Sequence, residues 1–256
     1  MTVERSEFDL FLKTLLKPEL FDDYCPNGLQ IEGKTGLKKV LFAVSATRES
    51  AEYAEKIKAD ALVVHHGLFW KFHGTRTLTG PFYKRVAPLL KNDINLFAYH
   101  LPLDAHPEVG NAKSLAALLE MSELQPFGNY KGAFTGISGA LPAEISGSEL
   151  KHILEKKLSH SVLYSNPSDA KKIKRIGIIT GGANSEWREA HKMGLDAYIT
   201  GEMSEHDYHE SRESGIHMFA GGHHATEKFG IQSLMKRIQE TYPGLSCEYM
   251  DSENPA

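Results

Sequence analysis

Val40-Leu-Phe-Ala-Val44 and Ala61-Leu-Val-Val64 flank a stretch over residues 47–58 in which Ala51, Ala54 and Ile57 recur at helical spacing. Each run is apolar at successive rather than alternate positions, the pattern of a strand buried on both faces, and such strands belong to parallel sheets covered by helices. Working outward, the sequence predicts a helix over 82–91 and a third buried strand at Ile94-Asn-Leu-Phe-Ala98. Upstream, Phe8, Phe11, Leu12 and Leu15 share one stripe of an amphipathic helix within 6–16, and Cys25-Pro-Asn-Gly-Leu-Gln-Ile-Glu-Gly33 reads as a turn-rich loop. The expected fold class is α/β with a largely parallel or mixed sheet.

The unit recurs. A displacement of 136 residues lays 40–64 on 176–200 without a gap. Strand falls on strand, Ala51, Ala54 and Ile57 fall on Trp187, Ala190 and Met193, and Asp60-Ala61 falls on Asp196-Ala197. Ile216-His-Met-Phe-Ala220 then parallels Ile94 to Ala98, ahead of a helical pattern over about 226–240. Between the copies lie a strand over 133–141, a helix over 148–157 and a strand over 161–164, read as a small inserted α+β subdomain at 126–168. The duplicated α/β domain then comprises 1–125 and 169–256.

Composition narrows the function classes. A chain of 256 residues can bury a sizeable core without disulfides or a structural metal, so a metal site here is functional by default. With 29 basic against 33 acidic residues and a formal charge of -4, there is no electrostatic footprint for duplex nucleic acid. Cys25 and Cys247 are the two cysteines, far apart in the chain, which suits a reducing cytoplasm and gives no paired metal-ligand motif. The first helix carries acids and a lysine among its apolar residues and does not read as a signal peptide. No apolar run approaches the roughly 20 residues that span a bilayer.

The anomaly is thirteen histidines, several next to one another or to acids. Val63-Val64 runs into His65-His66-Gly67, Phe97-Ala98 into Tyr99-His100-Leu-Pro-Leu-Asp104, and Met218-Phe-Ala220 into Gly221-Gly222-His223-His224-Ala-Thr-Glu227. Ligands of open α/β sheets sit beyond the carboxyl ends of the strands, so these three segments are expected to converge. A helix that begins near His223 brings Glu227 onto the same face one turn on, the spacing at which an imidazole and a carboxylate share an ion, and turns His224 about 100° away. His65 and His66 stand where the pleat is expected to break. A lone His-His pair is usually a surface or hydrogen-bonded feature, but two pairs after apolar strands, one with a glutamate at i+4, point to metal. His73, His106, His152, His160 and His191 lack such spacing.

The ligand set read from spacing is thus His65, His66, Asp104, His223 and Glu227. Five ligands exceed the three that hold one open catalytic zinc, so two divalent ions are expected, and mixed nitrogen and oxygen donors suit zinc, manganese, iron or cobalt. His100 and Glu202, near strand ends with these ligands, are candidates for proton transfer. In Leu68-Phe-Trp-Lys-Phe-His73, Phe69 or Trp70 is placed to stack on a base and Lys71 to meet phosphate, with core or subunit packing as the competing use of the rings.

At these residues the chain resembles the YbgI-like dinuclear metal proteins named GTP cyclohydrolase I type 2 homologs. The resemblance spans nearly the whole chain and rests on Asn27-Gly-Leu-Gln30, Val63-Val-His-His-Gly-Leu-Phe-Trp70, Tyr99-His-Leu-Pro-Leu-Asp104, Ile199-Thr-Gly-Glu202 and Gly222-His-His-Ala-Thr-Glu227. It implies a duplicated α/β domain, an inserted smaller domain in some members, a cytoplasmic ring-shaped homohexamer and a pair of metals facing the ring interior. It puts the metal ligands on the same five residues. Where many members have an Asp after the first strand, this chain has Val44-Ser45-Ala-Thr47, as the short bacterial type commonly does. The aromatic usual in the last motif is His224 here.

Two functions are therefore expected to compete. One is a metal-dependent hydrolase acting on a nucleotide-like or phosphorylated small-molecule substrate through a metal-bound hydroxide. The other is a non-catalytic metal-binding ring that serves as a scaffold. An open coordination position would mark the enzyme.

Overall fold

The computed structural model describes residues 2–167 and 171–256, and it falls into two units, 1–103 with 231–252 and 104–230 with 253–256. The first begins with β1 (Val3–Glu4) and α1 (Arg5–Leu16), whose Phe8, Leu12 and Leu16 are buried at i, i+4 spacing with Phe11 and Leu15 half-buried beside them. There follow β2 (Gly28–Ile31), β3 (Gly36–Leu37), β4 (Lys39–Ser45), α2 (Arg48–Lys56), β5 (Ala61–His66), α3 (Gly80–Lys91), β6 (Asn95–Ala98) and the short α4 (Leu101–Asp104). α2 starts where it does because Thr47 and Ser50 form a capping box, each side chain meeting the other's backbone N–H. β4, β5 and β6 lie parallel, with β2 antiparallel at the β6 edge. Their apolar side chains fill a core with Ala51, Ala54, Phe82, Val86 and Leu89 of the two helices.

The second unit contains α5 (Asn111–Leu118), β7 (Ser122–Tyr130), β8 (Ala133–Ile145), α6 (Gly147–Leu158), β9 (Leu163–Ser165), β10 (Ile173–Ile178), α7 (Trp187–Lys192), β11 (Ala197–Thr200), α8 (Glu205–Glu213) and β12 (His217–Ala220). β10, β11 and β12 are parallel, and the sheet runs β7-β8-β10-β11-β12-β9. α9 (His223–Thr241) starts in this unit and continues into the first, where β13 (Ser246–Tyr249) adds a parallel strand beside β4. Among the described residues no helix is long and apolar enough to cross a membrane.

The duplication read from the sequence has a hydrogen-bond signature. The Asp60 carboxylate accepts from the N–H groups of Lys38 and Lys39, and its own N–H donates to the Lys39 carbonyl. The Asp196 carboxylate accepts from those of Lys174 and Arg175, and its N–H donates to Arg175, each partner displaced by the same 136 residues. Ala59 closes the first helix onto Ala54 as Leu195 closes the second onto Ala190.

The stretch 126–168 joins the sheet of the second unit. β8 pairs with β10 and β9 with β12, while Leu141, Leu150, Leu154 and Leu158 share one core with Ile176, Ile199 and Phe219. β8 lies between β7 and β10 and β9 forms the far edge of the sheet, while the two compact units meet in the chain after Leu103 and Gly230. Ser168 and Asp169, at the expected boundary, lie outside the described residues.

Candidate metal centre

In the first unit β5 continues through His66, which pairs in register with Ser45, so the expected break in the pleat does not occur before the histidines. The two rings nevertheless lie 4.5 Å apart, and His100, just beyond β6, lies 5.1 Å from His65 and 5.8 Å from His66. Each of the three offers a ring nitrogen within 4.8 Å of the others. His65 and His100 are buried and His66 is half-buried.

Their orientations have identifiable causes. His65 Nδ1 donates to the Tyr99 carbonyl at 3.0 Å, and His66 Nδ1 meets Ser45 Oγ at 3.1 Å. His100 Nδ1 donates to Asp23 Oδ1 at 2.9 Å, and its backbone N–H donates to Asn27 Oδ1. Asp23 also accepts from Cys25 N, Asn27 Nδ2 and Leu101 N. Burial works to raise its carboxyl, but these bonds and the His100 charge outweigh it and hold the pKa down at about 2.

In the second unit α9 begins at His223, as the i, i+4 argument required, and His223 Nε2 lies 3.2 Å from Glu227 Oε2. His223 Nδ1 donates to Glu202 Oε1 at 2.6 Å. Burial alone would depress this imidazole; the hydrogen bonds and charges of Glu227 and Glu202 prevail and lift its pKa to about 9, so a metal that binds there displaces a proton. Carboxylate oxygens of Asp104 and Glu227 come within 4.8 Å of each other. Asp104 Oδ1 accepts from Asn111 Nδ2 at 2.8 Å and Thr180 Oγ1 at 3.3 Å, and Asn111 is itself fixed by the N–H of Gly230 in α9. His224, turned off this face, is buried with its N–H on the Ala256 carbonyl.

All four imidazoles therefore hold Nδ1 toward an oxygen of the protein and direct Nε2 away from it. That is the arrangement in which a histidine serves a metal, its second nitrogen fixing tautomer and ring plane. The donors, imidazole nitrogen and carboxylate oxygen, match a borderline transition ion. Sequence reasoning found the ligand candidates but missed Asp23, Asn111 and Thr180. It read His100 and Glu202 as proton movers; the structure places His100 among the imidazoles and Glu202 behind His223.

Beside the imidazoles of the first unit is a cleft of about 480 Å³ lined by Asp23, Pro26, Phe69, Trp70, Lys71 and Arg76. Trp70 meets His100 edge-on at 5.1 Å and stacks on Phe72 at 5.5 Å. Lys71 Nζ donates to the Asp23 carbonyl at 2.6 Å, and the Arg76 guanidinium lies 4.0 Å from the Phe82 ring centre.

A family model described as Duf34/NIF3 (NGG1p interacting factor 3) matches residues 3–255. A Haemophilus influenzae protein named GTP cyclohydrolase 1 type 2 homolog is 42% identical over 251 residues, covering 98% of each chain. Among solved structures, protein ybgI, described as of unknown function, is 37% identical with a TM-score of 0.93 and coverage of 99% of this chain and 100% of its own. TTHA1606 from Thermus thermophilus is 30% identical with a TM-score of 0.87 at the same coverage. With a family match over almost its whole length, and with candidate His, Asp and Glu metal-binding groups on its two repeated units, the chain belongs to the Duf34/NIF3 family.

Proposed function

We propose that the protein is a two-metal hydrolase. His65, His66, Asp104, His223 and Glu227 hold two divalent transition-metal ions, zinc, manganese, iron or cobalt, and the substrate is an anionic nucleotide-like or phosphoester compound. The observation that carries this reading is the common anchoring of the imidazoles through Nδ1, which prepares Nε2 for metal at a cost in buried polar groups that packing alone does not require. When bound, such ions lower the pKa of water toward neutrality and polarise the electrophile.

The chain's own residues supply the rest. Glu202 fixes the His223 ring, and Asn111 with Thr180 fixes Asp104. In the cleft, Phe69 and Trp70 offer faces for a planar ring, and Lys71 and Arg76 bring positive charge for phosphate. The name of the Haemophilus influenzae relative agrees with a nucleotide-like substrate. Against the scaffold reading stand the side-chain exposures of His223 and Glu202, 31% and 52%, which leave an approach from solvent. The protein works in the cytoplasm as a homohexamer in this reading.

The test is a screen of metal-loaded protein against a library of nucleotides and phosphoesters, with Asp104→Ala as control. Metal-dependent turnover lost in the control is expected. Turnover that persists in Asp104→Ala indicates a contaminant, and loaded protein inert on every substrate leaves the scaffold as the function.

A further inference from the structure

Asp23 and His100 have no role in the five-ligand set, yet they form the most heavily hydrogen-bonded polar pair in the first unit's site. The Asp23 side chain is 2% exposed and that of His100 7%. Hiding a carboxylate to this degree is costly unless its oxygens are satisfied, and Asp23 accepts four bonds, three of them from the chain around Cys25, Asn27 and Leu101. The fourth comes from His100 Nδ1. This bond fixes the tautomer: with the proton on Nδ1, the lone pair belongs to Nε2. Tyr24 and Trp70 press edge-on against the His100 ring, at 5.0 and 5.1 Å, and leave it little room to rotate.

The ring so fixed is a partner to His65 and His66, with a nitrogen in ligand range of both. A general base would need to reach a substrate proton, whereas a buried imidazole with a locked tautomer, backed by a carboxylate and turned to two other imidazoles, has the features of a metal ligand.

We propose that His100 is a further metal ligand, so that His65, His66 and His100 form a three-nitrogen face on the first unit, and that Asp23 is the positioning residue that holds it. The inference rests on the two-metal reading and deepens it by adding a sixth ligand to the five.

The variant that isolates the claim is His100→Asn, whose amide can still donate to Asp23 as Nδ1–H does and so keeps the buried carboxylate partnered, but which lacks Nε2. Two measurements on full-length protein read it: titration of zinc and cobalt against a competing chelator, and X-ray absorption at the metal edge, which counts imidazoles per ion. Expected are a loss of about ten- to a hundred-fold in affinity for one ion with the other unchanged, and fewer imidazoles per metal. Asp23→Asn is expected to lose about tenfold at the same ion while keeping the imidazole count, and it carries the test if His100→Asn does not fold.

Wild-type affinity and an unchanged imidazole count in His100→Asn, or wild-type affinity in Asp23→Asn where that variant carries the test, overturn the inference and leave the five-ligand site standing. Wild-type protein that binds no ion removes the two-metal reading as well.

Discussion

At Gly181 the backbone has a φ of +68°, and a Cβ would come 2.2 Å from Glu227 Oε1. Its N–H donates to Thr226 Oγ1 and its carbonyl accepts from Gly201 N and Thr200 Oγ1, so the segment cannot slide away. Gly181→Ala therefore strains the left-handed backbone, by about 1 kcal/mol or more, and drives a methyl group into the carboxylate proposed as a metal ligand. The expected outcome is a lower thermal midpoint and about tenfold weaker zinc binding by chelator competition, an outer-sphere effect. Wild-type affinity in this variant would show that the glycine only serves the turn. Glu227→Ala acts on the ligand itself. As purified, the wild type is expected to carry about two ions per chain by elemental analysis, and the variant fewer, because a carboxylate able to bridge two metals is lost. Near-zero metal in wild type isolated without chelator, or an unchanged content in Glu227→Ala, would defeat the site.

Among the elements, the repeated aspartates at the strand entries offer a test of the duplication in energetic form. Burial raises the Asp60 carboxyl, but the Lys34 hydrogen bond and the N–H groups of Lys38 and Lys39 reverse this and leave its pKa below the usual carboxylate range. Because the folded pKa is depressed, its stabilisation is complete above the unfolded value of about 3.9 and is lost as pH falls through the lower folded value. Asp60→Asn is expected to cost about 1–3 kcal/mol in urea melts at pH 7, with the gap to wild type closing in acid. A gap that stays constant down to pH 3 would assign the loss to packing. The βαβ pattern around Asp60 and Asp196 was legible because strands buried on both faces are written as unbroken apolar runs. β7 was not, since as an edge strand its exposed residues, among them Ser122, Glu123 and Asn129, look like loop. The candidate ligands were legible because chain adjacency at a strand end survives folding. Asp23 was invisible because it sits in a turn 77 residues before its partner in the hydrogen bond to His100, and no periodicity links them.

For the whole molecule, one segment of the first unit exposes more apolar side chain than water tolerates cheaply. Phe69, Phe72, Leu78, Tyr83 and Leu90 are 36–68% exposed within about twenty residues spanning the loop after β5 and helix α3. Single exposed apolar residues need no explanation, but a concentration of them marks a surface that another protein covers. A second copy of the chain is the partner that the proposed homohexamer would supply, and covering this segment would also shield the aromatic cleft from bulk water. Multi-angle light scattering of dilute wild-type protein is expected to give six times the chain mass. Phe72→Asp combined with Leu78→Asp places two charges where an assembled ring would bury them unpaired, and is expected to shift the mass toward smaller species. Neither residue belongs to the metal-ligand set, so metal content in the double variant should stay at the wild-type level if the ions are held within each chain. A wild-type protein that remains monomeric across the concentration range would overturn the ring, and a hexamer indifferent to both charges would move its contacts away from this segment.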